Sequence, residues 1–212
     1  MPELNISIKK AFDFAGREIV ENILFYLGIS ALIVFGPLAL STIFILLAVL
    51  IEGLSSLGAS FILYFTPVAL LLLSSFLFTG LILTVLKAKR GDDLSYDSLL
   101  ERKDLTVNLA ASGIIYGLLV SLGLILFVIP GVFLAIRLFF FDFIVVDKEV
   151  GPIKAFKESF EITKGYEWEL LLFLIILIPL SFALTLSLAP LGILICSPLI
   201  YLIRGDVYNQ LK

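Results

Sequence analysis

Histidine is absent from this 212-residue chain, and cysteine, methionine, tryptophan and glutamine occur once each. Without histidine there is no imidazole general base and no His-ligated metal site. The lone Cys196 lies in an apolar run, where it reads as a small buried hydrophobe and excludes an intrachain disulfide. No Walker loop, GxSxG or HExxH motif occurs. The serines at 55, 56 and 60, near Glu52, have neither a histidine nor an intramembrane lysine to activate them. An enzyme is therefore not expected, and no cofactor or metal is implied.

Charge is the next scarcity. Only 16% of residues are ionisable, against 60% apolar, and mean hydropathy is +1.14. The 33 charged side chains are also confined. Residues 22–51, 53–86, 105–136 and 170–203 contain none, and these blocks hold 130 of the 212 positions. A soluble helix needs a polar face, whereas a membrane span needs about 20 apolar residues. The pattern excludes a soluble enzyme, a nucleic-acid binder and a secreted disulfide scaffold. The net charge of −3 is too small to argue for an electrostatic partner.

What is present divides into six spans, at about 22–51, 61–86, 106–129, 130–146, 170–188 and 191–203. The expected fold is all-α, one integral membrane domain over residues 1–212. Residues 170–203 would reach about 51 Å as one helix, too long for one crossing, and Pro190 with Gly192 divides them. Pro130-Gly131 opens the fourth span, since proline is favoured in a first helical turn. Gly36-Pro37 and Pro179 should kink the first helices of their hairpins, as Pro67 and Pro198 interrupt other spans. The connector 52–60 reads as a short polar turn.

Fourteen of the 15 basic residues fall before the first span, in the two charged loops or after the sixth. The positive-inside rule then places both termini in the cytoplasm of a multi-pass cell-membrane protein. The first 21 residues mix acids with bases and lack an apolar core, so no signal peptide is expected and the first span stays in the mature chain. Two amphipathic helices, at about 4–20 and 151–168, should lie on the cytoplasmic surface, with Tyr166 and Trp168 as interface anchors. A shorter helix at 95–102 precedes the middle hairpin. At an offset of 148, Phe12-Asp13-Phe14 aligns with Phe160-Glu161-Ile162 and Glu21 with Glu169, which suggests three repeated hairpins, each led by a surface helix.

Arg137 and Asp142 are the only charges inside the spans. An intramembrane charge costs about 2.5–3.5 kcal/mol on insertion scales and marks a candidate site. Five residues apart, they sit roughly 140° around a helix and cannot pair with each other. Two readings are open. Arg137 either ties helices together, with Asp142 snorkelling to the interface, or faces a cavity and holds an anionic group such as a lipid phosphate.

The stretch from Val128 to Glu169 carries a recognisable string: Ile129-Pro130-Gly131, Arg137, Asp147, Gly151-Pro152, Ala155, Ser159-Phe160, and Lys164-Gly165 with Trp168. It resembles a broad group of prokaryotic membrane proteins that includes the membrane domain fused to some glycerophosphoryl diester phosphodiesterases. The resemblance implies six helices and an integral membrane location. It does not imply phosphodiesterase activity, because the chain has no metal-binding carboxylate/histidine cluster. Two functions follow as expectations. One is a structural or accessory membrane protein presenting its cytoplasmic helices to protein partners, to lipid or to a second copy. The other is a transporter or binding module for an amphiphile that uses Arg137. Membrane lipids are expected partners, and nucleic acid is not.

Overall fold

The computed structural model describes residues 6–52, 56–187 and 191–212. Within them the regular elements are helices: α1 (Ile8–Glu21), α2 (Ile23–Glu52), α3 (Ser56–Arg90), α4 (Ser98–Glu101), α5 (Thr106–Leu126), α6 (Val128–Arg137), α7 (Phe141–Lys148), α8 (Pro152–Ile162), α9 (Glu167–Ser187) and α10 (Leu191–Leu211), with a 3₁₀ turn at Lys103–Leu105. Five helical stretches are long and apolar enough to cross a membrane: Ile23–Glu52, Ser56–Arg90, Lys103–Leu126, Val128–Lys148 and Glu167–Leu186. α10 is 21 residues long, but its apolar part is followed by Arg204 and Asp206.

Local chemistry accounts for most boundaries. The Ser7 hydroxyl caps α1 by accepting from the Lys10 N–H at 3.4 Å. Ala11, Ala15 and Ile19 recur at four-residue spacing and are buried, and α1 packs against α10. α3 ends on Lys87, Lys89 and Arg90, cations suited to the negative end of a helix dipole. α5 and α6 meet at a tight corner, where a Cβ on Gly123 would lie 2.8 Å from the Gly131 Cα. Only glycines allow that approach. α2 lies along α3, α5 along α6 and α9 along α10.

Side-chain burial is concentrated near the charged ends of these helices. Tyr26, Leu81, Ile82, Phe140, Phe143, Phe173, Leu202 and Tyr208 are among the fully buried residues there. Farther along, Phe35, Leu50, Tyr64, Ile125, Ile129 and Ile178 stand exposed. Such an apolar exterior is costly in water and natural in lipid.

Several boundaries differ from those read in the sequence. α3 begins at Ser56, so most of the expected polar turn at 52–60 is helix. The span expected at 130–146 is two helices, because α6 stops at Arg137 and α7 begins at Phe141. The amphipathic helix expected at 151–168 ends at Ile162. Gly165, at φ +89°, turns the chain, and Trp168 belongs to α9. The helix expected at 95–102 is one turn, Ser98–Glu101. α10 continues eight residues past 203. Part of the apolar face of each long amphipathic helix packs inward. Ala11 and Ala15 of α1, and Ala155 and Ser159 of α8, are buried against the rest of the protein, leaving their charged faces outward.

Candidate functional site

The break between α6 and α7 organises the charged end. Leu138 (φ −97°, ψ 8°) and Phe140 (φ −105°, ψ 13°) leave helical geometry, although neither proline nor glycine stands at 138–140. Each backbone group freed by such a break needs a partner if buried. α8 supplies two. The Ser159 hydroxyl donates to the Arg137 carbonyl at 2.9 Å and accepts from the Phe140 N–H at 3.3 Å. The Thr163 hydroxyl shares its proton between the same Arg137 carbonyl, at 3.1 Å, and the Ser159 carbonyl one turn back, at 2.6 Å. A third partner comes from α10, where Arg204 Nη2 donates to the Phe139 carbonyl at 2.6 Å.

The two charges singled out in the sequence sit on either side of this break and do not touch each other. Arg137, the last residue of α6, is 5% exposed. Its Nη1 donates to Glu167 Oε1 at 2.6 Å, and its guanidinium lies 4.1 Å from the Phe160 ring centroid. Its Nε has no hydrogen-bond partner. Glu167 is the first residue of α9, so Arg137 lies at the charged end of the bundle rather than halfway through a straight span. Asp142, on the first turn of α7, does not snorkel. It accepts from Arg204 Nη2 at 2.9 Å and from the Phe143 N–H at 3.0 Å. Arg204 is walled by the rings of Phe139, Phe143 and Tyr201, at 4.3–5.3 Å from their centroids.

Two further acids complete the network. Asp147 gathers the Arg90 guanidinium of α3 at 2.8 Å, the Tyr208 hydroxyl at 2.9 Å and the Lys212 ammonium. Asp206 binds Lys89 and accepts from Gln210 Nε2 at 2.6 Å. Gln210 Oε1 in turn accepts from the Ser7 N–H at 2.8 Å, which brings the two ends of the chain together. On α1, Glu18 accepts from Asn22 Nδ2 at 3.0 Å and from the Tyr26 hydroxyl at 3.4 Å. Partial burial nevertheless holds its carboxyl above the ordinary glutamate range.

The helix-break residues are scattered by comparison. Gly36 and Pro37 lie inside α2, where a Cβ on Gly36 would rest 3.5 Å from a Leu77 methyl. Pro130 and Gly131 are the third and fourth residues of α6, which opens two residues before Pro130, and Pro179 lies inside α9. Pro190 is outside the described residues. Tyr166 is half-buried at the turn before α9, whereas Trp168 is 77% exposed. Trp168 and Glu167 edge a groove of about 380 Å³ with Ile129, Val132, Phe133, Ile136 and Leu171. Reading the sequence alone missed Glu167, Arg204 and Asp206 because they flank the apolar blocks and look like solvated ends. The one available signal was Arg204 following 34 uncharged residues directly.

An all-helical chain with membrane-length apolar helices and an internally paired charged end is the class these observations define. The profile of one family, Protein of unknown function (DUF975), matches residues 98–211. That segment is more than half of the chain, and the protein belongs to this family. It runs from α4 to the end of α10 and contains Arg137, Asp142, Asp147, Ser159, Glu167 and Arg204. No curated protein and no solved structure matches the chain.

Proposed function

We propose that the chain is a non-catalytic, six-span accessory protein of the cell membrane whose cytoplasmic end is a rigid platform for a partner or for the lipid surface. The observation that carries this reading is the internal pairing of the charged end. Arg137, Asp142, Asp147, Arg204 and Asp206 are all spent on holding helices to one another. What faces outward is the charged side of α1 and α8, with Lys9, Lys10, Arg17, Lys154 and Lys157 exposed. α10 supplies the sixth span, and residues 22–52 with 56–90, 106–137 and 167–211 form three hairpins. The joining of Ser7 to Gln210 supports termini on one side. The resemblance of the string from Val128 to Glu169 to phosphodiesterase-linked membrane domains supports a setting among phospholipids.

The transport reading lacks the feature it needs. It requires Arg137 on a water-filled cavity, and Arg137 is packed between Phe133, Phe160 and Glu167. Topology is the direct test. With Cys196→Ser as background, single cysteines placed at Leu57, Val128, Lys154 and Lys212 would be labelled in intact cells by a membrane-impermeant thiol reagent. Six spans predict labelling at 57 and 128 and protection at 154 and 212. Labelling at 212 from outside would reduce the count to five.

A further inference from the structure

Among the described residues, eight basic side chains have an acidic partner within 4 Å, whereas two of the three that line one cleft of the charged end do not. This cleft, of about 740 Å³, runs between α1 and the ends of α3 and α10. On the α1 side it is lined by Ser7, Lys10, Asp13, Phe14 and Arg17, which share one helical face over about 15 Å of rise. Lys89, Asp206 and Gln210 line the other side. Lys89 and Asp206 neutralise each other, and the Lys89 ammonium lies 4.4 Å from the Phe14 ring centroid. Among the described residues, Lys10, Arg17 and Asp13 have no ion-pair partner. The free charges on the wall are therefore two cations and one anion along a single stripe.

Along the helix these run cation, anion, cation, so an acceptor for an ammonium lies one turn from a partner for a phosphate. We infer that the α1 cleft binds a phosphoethanolamine-type headgroup, its phosphodiester on Arg17, the cation nearer the apolar run, its primary ammonium on Asp13 one turn away, and Lys10 adding to the positive field of the cleft. A guanidinium holds phosphate oxygens through charge-assisted hydrogen bonds, and a carboxylate accepts from an ammonium that carries N–H groups. Phe14 supplies an apolar floor for the carbon linker. A purely anionic headgroup would meet Asp13 with the wrong sign, and a quaternary ammonium has no N–H to donate. Position also fits a membrane lipid. Arg17 is six residues before Ile23, where α2 begins its apolar run, so the cleft opens beside the expected headgroup layer. The cleft volume lies within the range usual for small-molecule sites, about 300–1,000 Å³.

The proposal rests on the reading of the charged end as a membrane-surface platform, which the cysteine labelling tests without reference to lipid. Its own test is retention of phosphatidylethanolamine, phosphatidylcholine and phosphatidylglycerol by the purified full chain, measured by native mass spectrometry after equal loading. The expected result is preference for phosphatidylethanolamine by about tenfold, a loss of it in Lys10→Gln/Arg17→Gln, and near-equal retention of the ethanolamine and choline lipids in Asp13→Asn. The conservative Lys10→Arg/Arg17→Lys protein should keep the preference, and melting curves exclude misfolding since these side chains are exposed. Competition by soluble glycerophosphoethanolamine distinguishes a water-borne ligand from a lipid that also needs its acyl chains. Either outcome of that arm supports the headgroup assignment. Equal retention of the three lipids by the unaltered chain, or a preference that survives the double substitution, overturns it.

Discussion

Asp142 and Arg204 are 62 positions apart, yet each is the partner that makes the other tolerable. Both are nearly buried, and a single member left behind would be an uncompensated charge. Breaking such a pair costs about 3–5 kcal/mol. Arg204→Met should therefore lower the melting temperature strongly in detergent. The double substitution Asp142→Asn/Arg204→Met should cost less than the two single changes added together. Glu18 shows the opposite sign of coupling. Its carboxyl is raised above the ordinary value of 4.5, so the folded protein binds that proton more tightly than the unfolded chain does. The stability it contributes is then fully present below the ordinary value and is lost as pH rises through the raised one. Glu18→Gln keeps the acceptor for Asn22 and Tyr26 but removes the charge. The stability gained by that substitution should be larger at pH 7 than at pH 4, measured by thermal unfolding at both.

At the scale of the elements, the α6–α7 break depends on α8. Ser159 joins a carbonyl and an N–H on opposite sides of the break, so α8 splints the break on one face while its other face stays exposed. Ser159→Ala leaves the Phe140 N–H buried without that partner, while Thr163 still serves the Arg137 carbonyl. A cost of about 1–3 kcal/mol is expected for the unsatisfied group. Unfolding of the purified protein by heat would measure it. The string Ala155, Ser159-Phe160, Lys164-Gly165 and Trp168 gains a physical meaning here. Ala155 permits close packing, Ser159 closes the break, Phe160 covers Arg137, and Gly165 reverses the chain into α9.

For the whole molecule, the charged end is the stapled end. Asp147 of α7 joins α3 through Arg90 and α10 through Tyr208 and Lys212, and its side chain is 2% exposed. Asp147→Asn keeps the shape but removes the charge that three donors share. It should destabilise the protein by about 1–2 kcal/mol, since Arg90 and Lys212 remain solvated, and expose the last turn of α10 to limited proteolysis. The opposite ends of the helices carry many exposed apolar side chains and depend on lipid for their environment.

The sequence by itself determined that the chain is helical and built for a membrane, because runs of 30 or more uncharged residues admit few other solutions. It also marked the Pro130-Gly131 corner, whereas it ran a helix through the Gly165 turn. Arg137 and Asp142 were visible as anomalies, but their partners were not, since Glu167 and Arg204 look solvated when read locally. The interruption at 138–140 was invisible for a related reason. Nothing in Leu138, Phe139 and Phe140 breaks a helix. Hydrogen bonds from Ser159, Thr163 and Arg204, remote in sequence, stabilise the interrupted backbone, and only tertiary structure brings them to it.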